Sequence, residues 1–211
     1  VNLEAPNPER LKVLTGSKDF KGELLSEVAE IKRQIELGEA KADQTTQFVV
    51  GAAGESDEEL LRTADFLIKK MGLKRVYFSP FRPVPDTPFE DLRPESPARA
   101  RRLYQASFLL RDYGFSWRDL PYQDGMLAGD PKELWARAHP ELFPVEICRA
   151  EYEELVRVPG IGPKTARRIL QLRALGGLTS FRELAATGVN LKKALPYITL
   201  KGKRPWQPSL F

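Results

Sequence analysis

Cysteine and histidine are nearly absent from this sequence, and their scarcity excludes several kinds of metal or disulfide protein. The 211 residues include one cysteine, Cys148, and one histidine, His139. A structural zinc site takes about four Cys or His ligands, an iron–sulfur cluster takes about three or four thiolates, and a disulfide framework needs cysteine pairs. We therefore predict no metal ligands in this chain. Cys148 is interpreted as a buried apolar side chain or an inert thiol, and His139 as a helix-end residue.

Long hydrophobic runs are also missing. No apolar stretch approaches the roughly 18 residues of a membrane span, and the first residues, Val1-Asn2-Leu3-Glu4, lack the basic and apolar regions of a signal peptide. We therefore expect a cytoplasmic protein that makes no membrane contact. A strand-like segment that starts at once, without Met, fits either a piece of a longer chain or a processed or cloned start.

Positive charge is concentrated at one end of the chain. Residues 149–211 contain 12 Lys or Arg and 4 Glu, whereas residues 1–148 contain 21 basic and 25 acidic side chains. The net charge of +4 thus comes from the C-terminal third, which favours a polyanionic partner. We predict an α/β domain over residues 1–125, a linker with a short helix over 126–147, and a basic domain over 148–211.

The N-terminal part alternates helix-like and strand-like segments. Helical spacing of apolar residues predicts a helix over 24–37, and β-branched and aromatic residues predict strands over 46–50 and 74–78. A capping-box pattern at residues 56–59 opens the helix between these strands. Strand, helix and strand in this order predict a parallel pair with a right-handed crossover, the unit of α/β folds. The later predictions are a loop over the proline-rich residues 79–88 and helices that start near Ser96 and Asp130.

Residues 155–170 carry the most specific pattern in the sequence, Leu-Val-Arg-Val-Pro-Gly-Ile-Gly-Pro-Lys-Thr-Ala-Arg-Arg-Ile-Leu. Pro159 ends one helix, Gly160 and Gly162 allow a tight turn and a close approach that a Cβ would obstruct, and Pro163 opens the next helix. Ile161 is expected to point inward from the turn. The pattern resembles the helix-hairpin-helix motif of DNA repair and recombination proteins.

The start of the second hairpin helix is suited to binding an anion. Free N–H groups and the helix dipole favour a phosphate there, and Lys164 and Thr165 add a charge and a hydroxyl. We expect non-sequence-specific binding to the phosphates of DNA. The expected contact residues are Pro159, Gly160, Ile161, Gly162, Lys164, Thr165, Arg167 and Arg168. The alternative is an ordinary αα-hairpin in which the glycines only permit the turn.

A weaker copy of the pattern follows the first. Residues 178–184 contain a Ser-x-x-Glu box, and residues 187–195 resemble a hairpin turn with a single glycine. Paired hairpins would bridge both strands across a minor groove, whereas the alternative is a packing partner without a phosphate contact of its own. The basic tail from Lys201 to Trp206 is either an arm on nucleic acid or a solvated chain end.

Four N-terminal segments, residues 1–6, 45–55, 75–81 and 85–88, stand in this order ahead of the hairpin. Together with the hairpin they resemble a family of radical S-adenosylmethionine proteins of DNA modification or repair. The resemblance implies the later strands of a radical-SAM-type (β/α) barrel, followed by a small all-α helix-hairpin-helix domain. It also implies that the complete enzyme uses S-adenosylmethionine and a [4Fe–4S] cluster.

The resemblance implies a set of cofactor contacts at the carboxyl ends of the strands, where ligands of parallel α/β sheets bind. The implied contacts are Asn2, Glu4, Gly51, Ala52, Phe78 and Ser79. Without the resemblance, residues 51–55 read as an ordinary tight turn.

The sequence differs from that family in the segment that would hold the iron–sulfur cluster. The Cys-x-x-x-Cys-x-x-Cys loop that holds the cluster is missing, so no cofactor is expected to bind to this chain alone. One hypothesis is a DNA-binding C-terminal portion of such an enzyme, partnered by a separate N-terminal half or by self-association. The other is a standalone DNA-binding protein that uses its α/β part as a scaffold or as a docking surface for a partner.

Overall fold

The computed structural model describes residues 1–204, which form two units. The first comprises Val1–Arg111 and Phe115–Pro131, and the second comprises Asp112–Gly114 and residues 132–204. The first unit contains α1 (Pro8–Leu14), α2 (Ser26–Glu36), β1 (Thr45–Val50), α3 (Asp57–Lys69), β2 (Arg75–Pro80), α4 (Pro97–Asp112), β3 (Tyr122–Gln123) and β4 (Met126–Leu127). The last residue of α4, Asp112, is assigned to the second unit. The second contains α5 (Pro131–Ala138), β5 (Val145–Glu146), α6 (Tyr152–Arg157), α7 (Pro163–Ala174), α8 (Phe181–Ala186), α9 (Leu191–Ala194) and β6 (Ile198–Thr199). The first residue of α5, Pro131, is assigned to the first unit.

The strand-helix-strand prediction is confirmed in the first unit. β1 and β2 pair in parallel with Phe48 opposite Phe78, and α3 connects them. Alternation along each strand buries Thr46, Phe48 and Val50 of β1, and Val76 and Phe78 of β2. Leu60, Leu61, Ala64 and Leu67 of α3 are fully buried and supply the apolar stripe that the helical spacing predicts.

The predicted capping box at the start of α3 is present. The Ser56 hydroxyl accepts from the Glu59 backbone N–H over 3.1 Å, and the Glu59 carboxylate accepts from the Ser56 N–H over 2.8 Å. Glu59 also binds the Arg10 guanidinium of α1 at 3.0 Å. The same side chain thus begins one helix and joins it to another.

The prediction of a radical-SAM-type barrel is wrong. In the described part of the chain the strands form three separate two-stranded sheets, ordered β1-β2, β3-β4 and β5-β6, and none closes into a barrel. The start of the chain, expected to be a strand, contributes a single parallel bridge from Glu4 to Phe48, with Glu4 at φ 60°. The architecture is mixed, helical with small sheets. The barrel was implied by the family resemblance, and the single strand-helix-strand unit that forms does not by itself set the number of strands.

The second unit has its own apolar core, built mainly from helices. Ile147, Leu155, Ile161, Ile169 and Leu184 are almost completely buried together. The short parallel pair β5-β6 joins residues before the first hairpin to residues after the second, with Val145 opposite Ile198. Residues 132–147, within the expected linker, belong to this unit, and residues 126–131 to the first.

No helix within residues 1–204 has both the length and the apolar character needed to cross a membrane.

Candidate nucleic-acid interface

The first hairpin turn connects α6 to α7. Its backbone is closed by a hydrogen bond from the Ile161 N–H to the Val158 carbonyl, at 3.1 Å. Ile161 is 1% exposed, so it points into the core as its apolar character predicts. α7 then begins at Pro163 with Gly162 as its N-cap and without a side-chain cap. A helix start without such a cap presents its first backbone N–H groups to an external anion.

The two glycines of this turn serve different purposes. Gly160 has φ +85°, and a Cβ built on it would lie 2.5 Å from the Asn190 carbonyl oxygen. Gly162 has an extended backbone, φ −99°, which any residue adopts, and its Cβ would lie 3.2 Å from the Tyr113 hydroxyl. Gly160 is therefore required for both conformation and space, whereas Gly162 serves close packing alone.

The second hairpin turn, between α8 and α9, repeats the first one position by position. Gly188 has φ +87° where Gly160 has φ +85°. The next position is an inward apolar residue in each turn, Ile161 in the first and Val189 in the second. Further along, Ala166 and Ala194 are both fully buried. The weaker copy seen in the sequence is therefore a true structural repeat of the turn.

The repeats differ at their helix starts. Asn190 caps α9, because its side chain accepts from the Lys193 N–H, over 3.4 Å. α9 is also only four residues long, against twelve for α7. Helix N–H groups are therefore available at the first turn, and the second turn offers mainly the charges of Lys192 and Lys193.

Main-chain and side-chain hydrogen bonds join the two turns. The Asn190 N–H donates to the Gly160 carbonyl at 3.0 Å. The Thr165 hydroxyl donates to the Gly188 carbonyl and the Arg168 guanidinium to the Thr187 carbonyl, both at 3.4 Å. Thr165 and Arg168, expected as phosphate contacts, thus have a role in holding the turns together.

Exposed basic side chains surround the paired turns. Lys164, Arg167, Lys192 and Lys193 are all exposed, whereas Pro159 is buried beneath the first turn. The Arg167 guanidinium lies over the Tyr152 ring, 5.7 Å from its centre, which orients it without removing it from solvent. Arg173, further along α7, donates to the Ala150 carbonyl at 2.7 Å and so acts in packing.

A support for the first turn was not foreseen from the sequence. The Lys132 side chain, 9% exposed, donates to the Ile161 carbonyl at 2.5 Å. Its ammonium also lies 4.6 Å from the centre of the Tyr113 ring, and the Tyr113 hydroxyl faces Gly162. No local pattern marks Lys132, because its partner lies 29 residues along the chain. The role of Asn190 as the cap of α9 could have been predicted from the sequence, since Asn is a preferred N-cap residue.

Glu146 anchors the start of the basic tail. Its carboxylate accepts from the backbone N–H groups of Cys148, Lys201 and Gly202, at 3.1, 2.9 and 2.8 Å. Burial alone would raise the pKa of Glu146, but these hydrogen bonds outweigh it and lower the pKa to about 2. The remainder of the predicted tail, residues 205–211 with Trp206, lies outside the described residues.

The implied cofactor contacts lie in the first unit, around the ends of β1 and β2. Asn2 is exposed, Glu4 bridges to β1, and Phe78 is buried with its ring 5.4 Å from that of Tyr104. Ser79 is half-buried and Ala52 is buried. At Gly51 the N–H donates to the Glu55 carboxylate at 2.6 Å. A Cβ on Gly51 would lie 2.6 Å from a Glu95 carboxylate oxygen, so the chain's own acids fill this turn.

These residues do not fit an iron–sulfur cluster. The only cysteine, Cys148, is half-buried against the core of the second unit. Within residues 1–204 no group of three or more His, Cys, Asp or Glu side chains could hold a metal ion. The ligand set that such a cluster requires is therefore not provided by the described residues.

Comparison with known families identifies the first hairpin. Residues 149–172 match the family model described as the helix-hairpin-helix motif. No curated protein and no solved structure matches the chain. The match covers α6, the first turn and most of α7, so this region is a helix-hairpin-helix motif, as the sequence pattern predicted. The comparisons provide no support for the radical S-adenosylmethionine family.

Proposed function

We propose that the second unit binds duplex DNA through both hairpin turns, without sequence specificity. The observation that carries the proposal is the first turn, where the uncapped start of α7 lies beside the exposed Lys164 within a matched helix-hairpin-helix motif. Backbone N–H groups, a helix dipole and a lysine together form a site for one phosphate.

The repeat of the turn supports a duplex as the ligand. The two turns are joined through Asn190 and Gly160, so their exposed lysines, Lys164 and Lys192, lie on adjacent turns. Two phosphate sites on adjacent turns suit the two strands that border a groove. The first site uses N–H groups and charge, and the second uses mainly charge.

The absence of sequence specificity follows from the kinds of group involved. Main-chain N–H groups and lysines recognise phosphates, which are identical at every base pair, and such contacts position a protein without reading base edges. The net charge of the C-terminal third, 12 basic against 4 acidic residues, adds long-range attraction that salt weakens.

Charge reversal at the turns tests this function. Titrating a labelled duplex of about 20 base pairs into Lys164→Glu and Lys192→Glu proteins should give weaker binding than wild type at each salt concentration. Loss of one phosphate contact should also lower the slope of log affinity against log salt by about 1. Two duplexes of unrelated sequence should bind equally well.

The matched control is Lys18→Glu, an exposed lysine of the first unit with the same change of charge. It should reduce binding far less than either turn variant. Equal titrations for wild type and both turn variants would contradict the proposal. So would an equal loss in the Lys18→Glu control, since that would show a general charge effect.

No catalytic step is part of this proposal. S-adenosylmethionine-dependent modification of DNA was implied by the family resemblance, whose barrel is not formed and whose cluster ligands the described residues do not provide.

A further inference from the structure

A second basic surface lies within the first unit, between β2 and α4. Within the described residues β2 has β1 as its only ladder partner, so its other edge is unpaired. On that edge the Phe78 N–H donates to the Tyr104 hydroxyl of α4, at 3.1 Å. α4 therefore meets the edge of β2 through a side chain, and room is left between the two elements.

Two adjoining hollows occupy this room. One, of about 470 Å³, is lined by residues that include Gln47, Ser79, Tyr77 and Arg101. The other, of about 440 Å³, is lined by Thr45, Lys74, Arg75, Tyr77 and Arg111. Tyr77 borders both hollows, and the two together are named the β2–α4 groove.

The charged side chains that line the β2–α4 groove are all basic. They are Lys74, Arg75, Arg101 and Arg111, and Lys74 forms an ion pair with Asp43. This concentration contrasts with the surrounding sequence, since residues 1–148 carry 21 basic and 25 acidic side chains. A basic groove in an otherwise acidic region attracts a polyanion to one place.

Exposed aromatic rings accompany these charges. Tyr77 is 39% exposed, and the Arg75 guanidinium lies 5.7 Å from its ring centre. On α4, Phe108 is 41% exposed, with the Arg111 guanidinium 4.9 Å from its ring centre. Alternating guanidinium groups and aromatic faces are the combination that binds phosphates and stacks bases in proteins that hold single-stranded nucleic acid.

We propose that the β2–α4 groove binds one unpaired strand of DNA. A duplex hides its base faces, so the ring of Tyr77, which lines the groove, and that of Phe108, beside the lining residue Arg111 on α4, could stack only with unpaired bases. β2 has six residues and extends roughly 20 Å at about 3.3 Å per residue, which matches about six stacked nucleotides at about 3.4 Å each. This site is independent of the proposed duplex site in the second unit.

Binding of a fluorescent oligothymidine of about twelve nucleotides tests the groove, measured by anisotropy against an abasic oligomer of the same length. Wild-type protein should bind the oligothymidine at least about ten-fold more tightly than the abasic oligomer, because each stacked base contributes about that much. Tyr77→Ala and Phe108→Ala should remove this preference. Arg75→Gln and Arg101→Gln should weaken binding of both oligomers.

Matched controls are available in the same unit. Phe66→Ala removes an aromatic side chain of α3 that is 46% exposed, and Lys18→Gln removes an exposed charge. Both controls should bind like wild type, and circular dichroism should show that all the variants are folded. Equal affinity for the two oligomers, or a preference that survives both aromatic substitutions, would overturn the proposal.

The experiment also separates this site from the duplex site. Lys164→Glu should weaken duplex binding and leave oligothymidine binding by the groove unchanged. If the turn variants abolish oligothymidine binding while the groove variants do not, the groove proposal fails and the duplex proposal stands. If Tyr77→Ala weakens oligothymidine binding while Lys164→Glu leaves duplex affinity unchanged, the duplex proposal fails and the groove proposal stands.

Discussion

The Asn190 N–H donates to the Gly160 carbonyl oxygen at 3.0 Å, so main-chain atoms connect the two hairpin turns. The contact requires that Gly160 carry no side chain, because a Cβ there would lie 2.5 Å from the Asn190 carbonyl oxygen. Stability of the second unit and the geometry of its phosphate sites thus depend on the same pair of residues.

Gly160→Ala tests this dependence. The substitution places a Cβ both in the left-handed region and against Asn190, and it should lower the free energy of unfolding by about 2–4 kcal/mol. The control is Gly176→Ala, at φ +70° with open space around it, which should cost only about 1–2 kcal/mol for the backbone conformation. Urea denaturation followed by circular dichroism measures both, and equal losses would contradict the close contact.

Lys132→Met tests the support beneath the first turn. The methionine fills much of the space but leaves the Ile161 carbonyl without its bond from Lys132, so we expect a loss of about 1–3 kcal/mol in unfolding free energy. Arg182→Met, at an exposed position of α8, should change it by less than about 0.5 kcal/mol. Duplex affinity should fall with Lys132→Met as the turn loosens, and an unchanged protein would show that the bond is dispensable.

The pH dependence of stability tests the anchor at Glu146. Its pKa is lowered from 4.5 to about 2 in the folded protein, because the three backbone hydrogen bonds outweigh the opposing effect of burial. A lowered folded-state pKa gives stability that is present above about pH 4.5 and is lost as the pH falls toward 2. Glu146→Gln should therefore be less stable than wild type at neutral pH, and the difference should shrink on acidification. A difference that is constant with pH in urea titrations would contradict this account.

Arg99→Met tests a buried ion cluster in the first unit. The Arg99 guanidinium lies 2.8 Å from Asp57, 2.7 Å from Glu95 and 3.5 Å from Glu55, and its side chain is only 9% exposed. Removing it leaves carboxylates buried without their cation, which should cost about 3–5 kcal/mol in unfolding free energy. Arg33→Met, which breaks an exposed pair with Glu30, should leave the unfolding free energy nearly unchanged. Comparable effects of the two substitutions would show that burial does not set the strength of the cluster.

Local patterns predicted the elements best where a few adjacent residues determine the structure. Ser56 and Pro163 marked the starts of α3 and α7, because capping and the fixed proline φ act within one turn of helix. The first hairpin was predicted for the same reason. The second was left open in the sequence, since one glycine and a capping box also suit a plain packing helix.

Features that depend on residues far apart in the sequence could not be predicted from local patterns. The barrel was expected from a family resemblance and is wrong; β1, α3 and β2 themselves specify one crossover and carry no information on how many further strands join them. The role of Lys132 and the hydrogen bonds of Thr165 and Arg168 to the second turn arise only when distant segments meet. The hairpin pattern marked Thr165 and Arg168 for phosphate contact, and it contains no signal for their contacts with the other turn.

The main-chain bond between Gly160 and Asn190 also determines the spacing of the two turns. Side chains change rotamer on the nanosecond scale, whereas two backbone segments in direct contact keep a constant separation as long as the unit is folded. A ligand that touches both turns therefore meets anchoring points at an interval that side-chain motion does not alter. A constant distance between the two turns therefore favours ligands whose charges are regularly spaced over ligands that merely carry many charges.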